Sequence, residues 1–484
     1  MTSKSRKQEN LRQSIGYSAL GSLGSQAVSL FSFLILARML SPHEFGLMTI
    51  VMIFTAFASI FIDMGMGSAL IHNQASSERH FSTAFWFNFF VALVLSLGLV
   101  LAAGWVSGFF GSPDLKSLFM VGAFLLPVTA LSLVPLAILQ KEQSFKKIAY
   151  IEILAALFNV MAALTLAHHG LGVWALMAGL YASVISRVAI LWYVVGWRPK
   201  LIFCRKSFKD LWGYSQYLLG TSLINYLLTK LDGILVARFV GPSSLGAYNY
   251  ACQLAYLPAN IVGQVFSRVF FAQYSTYKDD LSKIKTIHFK TVRMLASLTF
   301  PILLVFSGMS DVFVLAILGP EWKEMGHILS FLCIVFLLDS IGGMNNPLFL
   351  SQGRTKSLFR LTLYVRSSLI LAMIIGIQFG IDGMMISLLI AKLVNYYPVY
   401  REVGKTIGFS VAEFTNNIIP PLLMSVFVAG AVIVAKAFLE SAFPELIVLV
   451  ILSLGAVAIY LVLILSFQKS LMVELYSILM RRHA

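Results

Sequence analysis

The chain has 484 residues, of which 58% are hydrophobic and 12% charged, with a formal net charge of +15 and a mean hydropathy of +0.84. A soluble globular protein carries about twice that share of charge, so this composition excludes a water-soluble fold and predicts an all-α polytopic membrane protein without the dyad pattern of a β-barrel. The positive excess does not point to nucleic acid, because the basic residues alternate between loops as a membrane topology requires.

Lys4, Arg6, Lys7 and Arg12 precede a long first helix dotted with Gly and Ser, which reads as a span and not as a cleaved leader. Apolar runs long enough to cross a bilayer, for which about 20 residues are needed, predict fourteen transmembrane helices. They lie at roughly 14–38, 45–72, 81–108, 115–139, 147–168, 171–195, 211–239, 245–274, 286–308, 326–350, 357–379, 382–401, 416–438 and 443–467. With a cytoplasmic N-terminus, the inner loops and tails hold 26 of the 36 basic residues and the outer loops five. Both termini are therefore expected on the cytoplasmic side.

An internal repeat organises these spans. Gly16-Tyr17-Ser18 recurs as Gly213-Tyr214-Ser215, and the hairpin turn 37–46 recurs as 237–246, with Ala37, Arg38, Pro42 and Gly46 matched by Ala237, Arg238, Pro242 and Gly246 at an offset of 200 residues. Pro135 and Pro347, each leading into a basic inner loop, are a fainter part of the same pattern. The expected organisation is an N-terminal six-helix lobe (1–196), a cytoplasmic linker (197–210), a parallel and pseudo-symmetric six-helix lobe (211–405), and two extra helices with a tail (406–484). Ser207–Tyr217 is open to an amphipathic, interfacial reading.

Three helices carry polar stripes at helical spacing. Ser18, Ser22, Ser25, Ser29 and Ser32, with Gln26 beside them, mark the first; Ser222, Asn225, Thr229 and Asp232 the seventh; Asn249, Gln253, Tyr256, Asn260, Gln264 and Ser267 the eighth. The Ser stripe is open to two readings, close helix packing or a cavity wall. The amide stripe favours a hydrated cavity, because unpartnered amides are costly in lipid. Ionisable residues inside spans cost a few kcal/mol near the bilayer centre, which singles out Arg187, Lys230, Arg268, Arg366 and Lys392 with the carboxylates Asp63, Asp232 and Asp339. They read either as mutually neutralising pairs, Asp339 with Arg366 for example, or as a cationic cavity for an acidic or phosphorylated substrate with coupling carboxylates. Arg38 and Arg238, at outer helix ends, read as snorkelling cations.

No catalytic motif stands out. Gly404-Lys405-Thr406 mimics the end of a nucleotide-binding loop, but Val399 occupies the place of the required Gly. His168-His169 has no ligand-spaced companion, and Cys204, Cys252 and Cys333 are too scattered for a disulfide framework or a metal site. No cofactor is expected, and no enzyme of covalent chemistry.

The segments 37–47 and 61–71, with Gly170-Leu171-Gly172-Val173-Trp174-Ala175-Leu176, Trp197-Arg198-Pro199, Ser267-Arg268-Val269-Phe270-Phe271 and Gln352-Gly353-Arg354, carry a family resemblance. Across residues 10–405 the chain resembles the polysaccharide-exporting flippases of the multidrug/oligosaccharidyl-lipid/polysaccharide superfamily, of colanic-acid and teichuronic-acid exporter type. The resemblance implies two lobes that alternate between inward- and outward-open states. It also implies a polyprenyl-diphosphate-linked oligosaccharide as substrate in a bacterial inner membrane, with a polysaccharide polymerase and a chain-length regulator as possible partners. The first helix has no charge between Ser14 and Ala37. Lipid II flippases of the superfamily carry arginines there, so a peptidoglycan precursor is disfavoured. The alternative is a cation-coupled small-molecule antiporter of the same superfamily, which predicts an acidic cavity. A membrane-embedded polymerase needs a larger outer loop than the chain has. The expected substrate cavity comprises Arg366, Lys392, Lys230, Arg268, Arg187, Asn260, Gln264, Asn225 and Gln26, with Asp63, Asp232 and Asp339 as coupling or pairing carboxylates.

Overall fold

The computed structural model describes residue 21 and residues 24–73 and 76–467. All regular structure among them is helical. Among the described residues ten helical runs are long and apolar enough to cross a membrane, and Gly24–Leu36 (α1) is a shorter apolar helix; Ser18 and Ser22 of the predicted Ser stripe lie outside the described residues. One of the ten, Thr355–Ile407, has 53 residues, which at 1.5 Å per residue is about 80 Å and far too long for a single crossing. A 3-10 turn at Ile377–Phe379 and Gly380, whose φ is +80°, divide it into α15 (Thr355–Gly376) and α16 (Gly380–Ile407).

The first unit, Met1–Gly246, contains α1, α2 (Pro42–Asp63), α3 (Met66–His72), α4 (Glu78–Phe110), α5 (Asp114–Ala123), α6 (Leu125–Lys141), α7 (Phe145–His168), α8 (Val173–Val195) and α9 (Arg205–Phe239). The hairpin turn ends where Ser41 caps α2. Its backbone N–H donates to Glu44 Oε2 at 2.7 Å, and the Glu44 N–H donates back to Ser41 Oγ. This capping box fixes the first turn, and Pro42 is pre-set for it. Four residues on, a Cβ at Gly46 would lie 1.7 Å from the Pro242 carbonyl oxygen, and a Cβ at Gly246 would lie 2.0 Å from the Pro42 carbonyl oxygen. The repeated Pro-x-x-x-Gly is thus a reciprocal crossing of two helix starts, each glycine seated on the other copy's proline carbonyl.

The predicted span 45–72 is broken. Met64 and Gly65 adopt left-handed backbone (φ +46° and +77°), ending α2 and starting α3. Leu218 of α9 packs at Gly65, and Tyr226 donates its hydroxyl to the Ile53 carbonyl at 2.5 Å. The Lys141 ammonium donates to the carbonyls of Leu70 and Asn73, satisfying orphan acceptors at the end of α3.

Residues 197–204 are fastened to α4. The Lys200 N–H donates to Ser82 Oγ, the Cys204 N–H to Thr83 Oγ1, and the Trp86 indole to the Lys200 carbonyl at 2.8 Å. From Arg205 the chain is already helical, so Ser207–Tyr217 forms the opening turns of α9 and buries Ser207, Leu211 and Ser215 on one face. At this helix start the backbone N–H and hydroxyl of Ser207 hold the Cys204 thiol below its ordinary range.

The second unit, Ala247–Ala484, contains most of α10 (Pro242–Thr276), then α11 (Leu281–Gly308), α12 (Ser310–Ile317), α13 (Lys323–Gly342), α14 (Asn345–Ser351), α15, α16, α17 (Val411–Leu439) and α18 (Glu445–Phe467). α11 packs along α17 and α13, and α18 leans on α12 and α17. Val312, Val428, Val432, Val448 and Leu452 form the core where the last two helices join the unit. α9 and α10 have 35 residues each but are not among the ten apolar runs. Their polar stripes, and the cations of α9, are what lower their apolarity. They fill the seventh and eighth predicted positions.

Candidate functional site

In the first unit, the polar face of α9 stays open. Ser222, Asn225, Thr229 and Lys230 are exposed, Asp232 is half-buried, and the Gly233 N–H donates to its Oδ1 at 2.7 Å. Gln26 of α1 is exposed too. Arg187 of α8 meets Glu152 of α7 at 2.6 Å, so this cation is neutralised inside its own helix pair. Asp63 sits at the α2–α3 break, where its Oδ1 accepts from the Gly67 N–H at 3.1 Å. It takes up one of the four unpaired N–H groups that open α3. Arg238 lies over the Phe109 ring, 5.0 Å from its centroid.

In the second unit, the paired charges differ from the Asp339–Arg366 example. Lys392 of α16 donates to Asp339 of α13, and Arg366 of α15 is exposed with no carboxylate partner among the described residues. The reason is azimuth: α13 lies against α16, so depth alone misassigns the partner. The Lys392 side chain is 12% exposed and that of Asp339 42%, so the cation is buried behind an accessible carboxylate. The other side of the ammonium lies over Phe336, 5.2 Å from its centroid, and Phe336 in turn meets Tyr256 of α10 at 5.6 Å. The charge pair is thereby joined to the amide stripe, in which Gln253 and Tyr256 are exposed and Asn260 half-buried. The side chains of Gln264 and Arg268 lie outside the described residues.

Asn395 was not singled out by sequence. It is buried, its amide donates to Ser368 Oγ at 2.7 Å, and its Oδ1 has no hydrogen-bond partner. The signal was there, since Lys392 and Asn395 stand three apart in one helix and share a face. Together these groups offer a half-buried ammonium, an aromatic wall and amides. Cations, rings and amides are the group types that suit an anion or a polyhydroxyl group. Among the described residues no cluster of His, Cys, Asp or Glu is arranged to hold a metal. Gly404-Lys405-Thr406 falls in the last turns of α16, whereas a phosphate loop precedes its helix.

A family described as "Polysaccharide biosynthesis protein" matches residues 35–327. The chain belongs to this family. Over 84% of its length the chain is 26% identical to the lipopolysaccharide biosynthesis protein WzxC of Escherichia coli K12, again over 84% of that chain. It is 29% identical to the teichuronic acid biosynthesis protein TuaB of Bacillus subtilis 168, over 69% of each chain. Among solved structures, its fold is similar to that of the lipid II flippase MurJ in an inward closed conformation, with a TM-score of 0.73 at 15% identity, covering 94% of this chain and 99% of that one. An inward-facing multidrug resistance MATE transporter of the MOP superfamily gives 0.58 at 14% identity, over 80% and 95%.

Proposed function

We propose that this protein flips a polyprenyl-diphosphate-linked oligosaccharide from the cytoplasmic to the periplasmic leaflet of a bacterial inner membrane by alternating access. The observation that supports this most is the coincidence of a polysaccharide-biosynthesis sequence family with the fold of a lipid II flippase. The chemistry of the second unit fits: Lys392 is a cation suited to diphosphate or acidic sugars, and its neighbours are amides and rings that suit glycans. A drug antiporter fits less well, because Lys392, Lys230 and Arg366 leave the polar faces mixed and not acidic. In this reading 1–196 and 211–405 are the moving lobes, both termini are cytoplasmic, and a polymerase receives the flipped unit.

The test is a strain lacking the protein, assayed for surface polysaccharide and for the pool of undecaprenyl-diphosphate-linked oligosaccharide. Lost surface polymer with accumulated complete repeat units is expected. Normal polymer without lipid-linked build-up, in a strain with no second exporter, would overturn the proposal.

Asp63 separates capping from ion coupling. Asp63→Asn keeps the acceptor oxygen and is expected to leave export and stability near wild type, whereas Asp63→Ala is expected to lose about 1 kcal/mol, as typical cap deletions do. Thermal unfolding and surface-polymer assays at matched expression check both. Abolished export by a stable Asp63→Asn protein would instead assign the carboxylate to proton or sodium coupling.

A further inference from the structure

The turn between α16 and α17 borders an open cavity of about 490 Å³ that the transport reading does not use. Tyr397, Arg401 and Lys405 line it from α16, and their spacing of four residues puts them on one helix face. The opposite wall is the turn itself and the first residues of α17, Ser410, Val411 and Ala412. The turn is built tightly: a Cβ at Gly404 would lie 2.3 Å from the Phe409 carbonyl oxygen, and Gly408 has φ +77°. Ser410 accepts from the Glu413 N–H at 3.1 Å, while the N–H groups of Val411 and Ala412 have no acceptor within the helix.

The charges here are unbalanced towards the cavity. Arg401 is exposed and has no carboxylate partner among the described residues. Lys405 shares Glu402 at 3.1 Å, an exposed contact within one helix turn, which is worth little. Glu413, in the first turn of α17, is held by Lys285 at 2.7 Å. Depth sets the environment. α16 and α17 have 28 and 29 residues, about 42 Å each at 1.5 Å per residue against a hydrocarbon thickness of about 30 Å. Their shared turn therefore stands among lipid headgroups, the level at which Tyr side chains such as Tyr397 also settle.

We propose that this cavity binds the phosphodiester headgroup of an anionic membrane lipid, with Arg401 and Lys405 as its cations and the α17 N-terminus as an additional donor. Basic pockets between transmembrane helices are a recurring form of headgroup recognition. The lipid would bridge the end of the internal repeat to the first of the two extra helices, which gives those helices an anchor beyond their apolar core.

The test uses the purified full chain in detergent, titrated with phosphatidylglycerol or phosphatidylcholine and read by native mass spectrometry. The wild type is expected to prefer phosphatidylglycerol. Each cation removed should weaken that lipid about fivefold, so Arg401→Gln/Lys405→Gln should lose roughly 25-fold. The control Lys323→Gln, at the start of α13 and outside the lining, should change nothing. If the double variant does not fold, Arg401→Gln alone carries the test with its fivefold loss. Equal phosphatidylglycerol affinity in wild type and in the folded variant overturns the proposal. Displacement of the lipid by millimolar inorganic phosphate would reassign the pocket to soluble phosphate and overturn the lipid assignment.

Discussion

Gly46→Val is expected to abolish accumulation of folded protein, and Gly246→Val to do the same. A Cβ at either position lies within 2.0 Å of a proline carbonyl oxygen of the other repeat, and a backbone obstacle cannot rotate away as a side chain does. Overpacking a core costs about 1–3 kcal/mol, occasionally more. Here both helix starts are pinned, by the Ser41–Glu44 capping box on one side and by Pro242 on the other, so the effect belongs at the top of that range or beyond. Gly46→Ala should already lower the melting temperature clearly. Gly98→Ala is the control, because nothing lies within 4 Å of its added Cβ. Wild-type melting of purified Gly46→Val protein would show that the crossing relaxes.

The second large effect concerns Lys392 and Asp339. Removing one partner of a buried pair costs about 3–5 kcal/mol. The Asp339 side chain is 42% exposed, which brings the expectation for Asp339→Asn down to about 1–2 kcal/mol once solvent screening is counted. Both Lys392→Gln and Asp339→Asn are expected to cut export at matched expression. The exchange Lys392→Asp/Asp339→Lys divides the two roles. Recovered stability and recovered export would make the pair a packing device. Recovered stability without export would mean that the cation is needed where Lys392 stands. Normal export by both single variants would remove the pair from the mechanism.

Much of the fold was legible because bilayer crossing and repetition leave strong signals. The hairpin repeat could be read from Ala, Arg, Pro and Gly at one offset, and its glycines have the simplest of physical reasons, a carbonyl where a Cβ would be. The α2–α3 break was not read, since hydropathy reports burial and not backbone handedness. Gly65-Met66-Gly67 beside Asp63 was its only trace. The partner of Asp339 was missed for a related reason: counting residues along a span gives depth, and pairing needs the facing direction as well. Arg187 was placed among the cavity cations, and the residue it binds is Glu152 of the neighbouring helix, which the sequence reading did not single out. The polar stripes of α9 and α10 were readable at once, and the structure adds that much of each remains uncovered within its own unit.

Those same two helices pose a problem during biosynthesis. A translocon passes a segment sideways into lipid according to its apolarity, and a charged residue at mid-helix counts about 2.5–3.5 kcal/mol against release. α9 carries Lys230 and Asp232 within its length, and α10 has a face of amides broken by Pro258. Neither is equipped to partition by itself. Their release should therefore be delayed until helices already in the membrane can receive their polar sides, so that the nascent chain is most exposed to quality-control proteases while its middle third emerges. Pulse-labelled chains truncated after α10 should be degraded faster than chains truncated after α8.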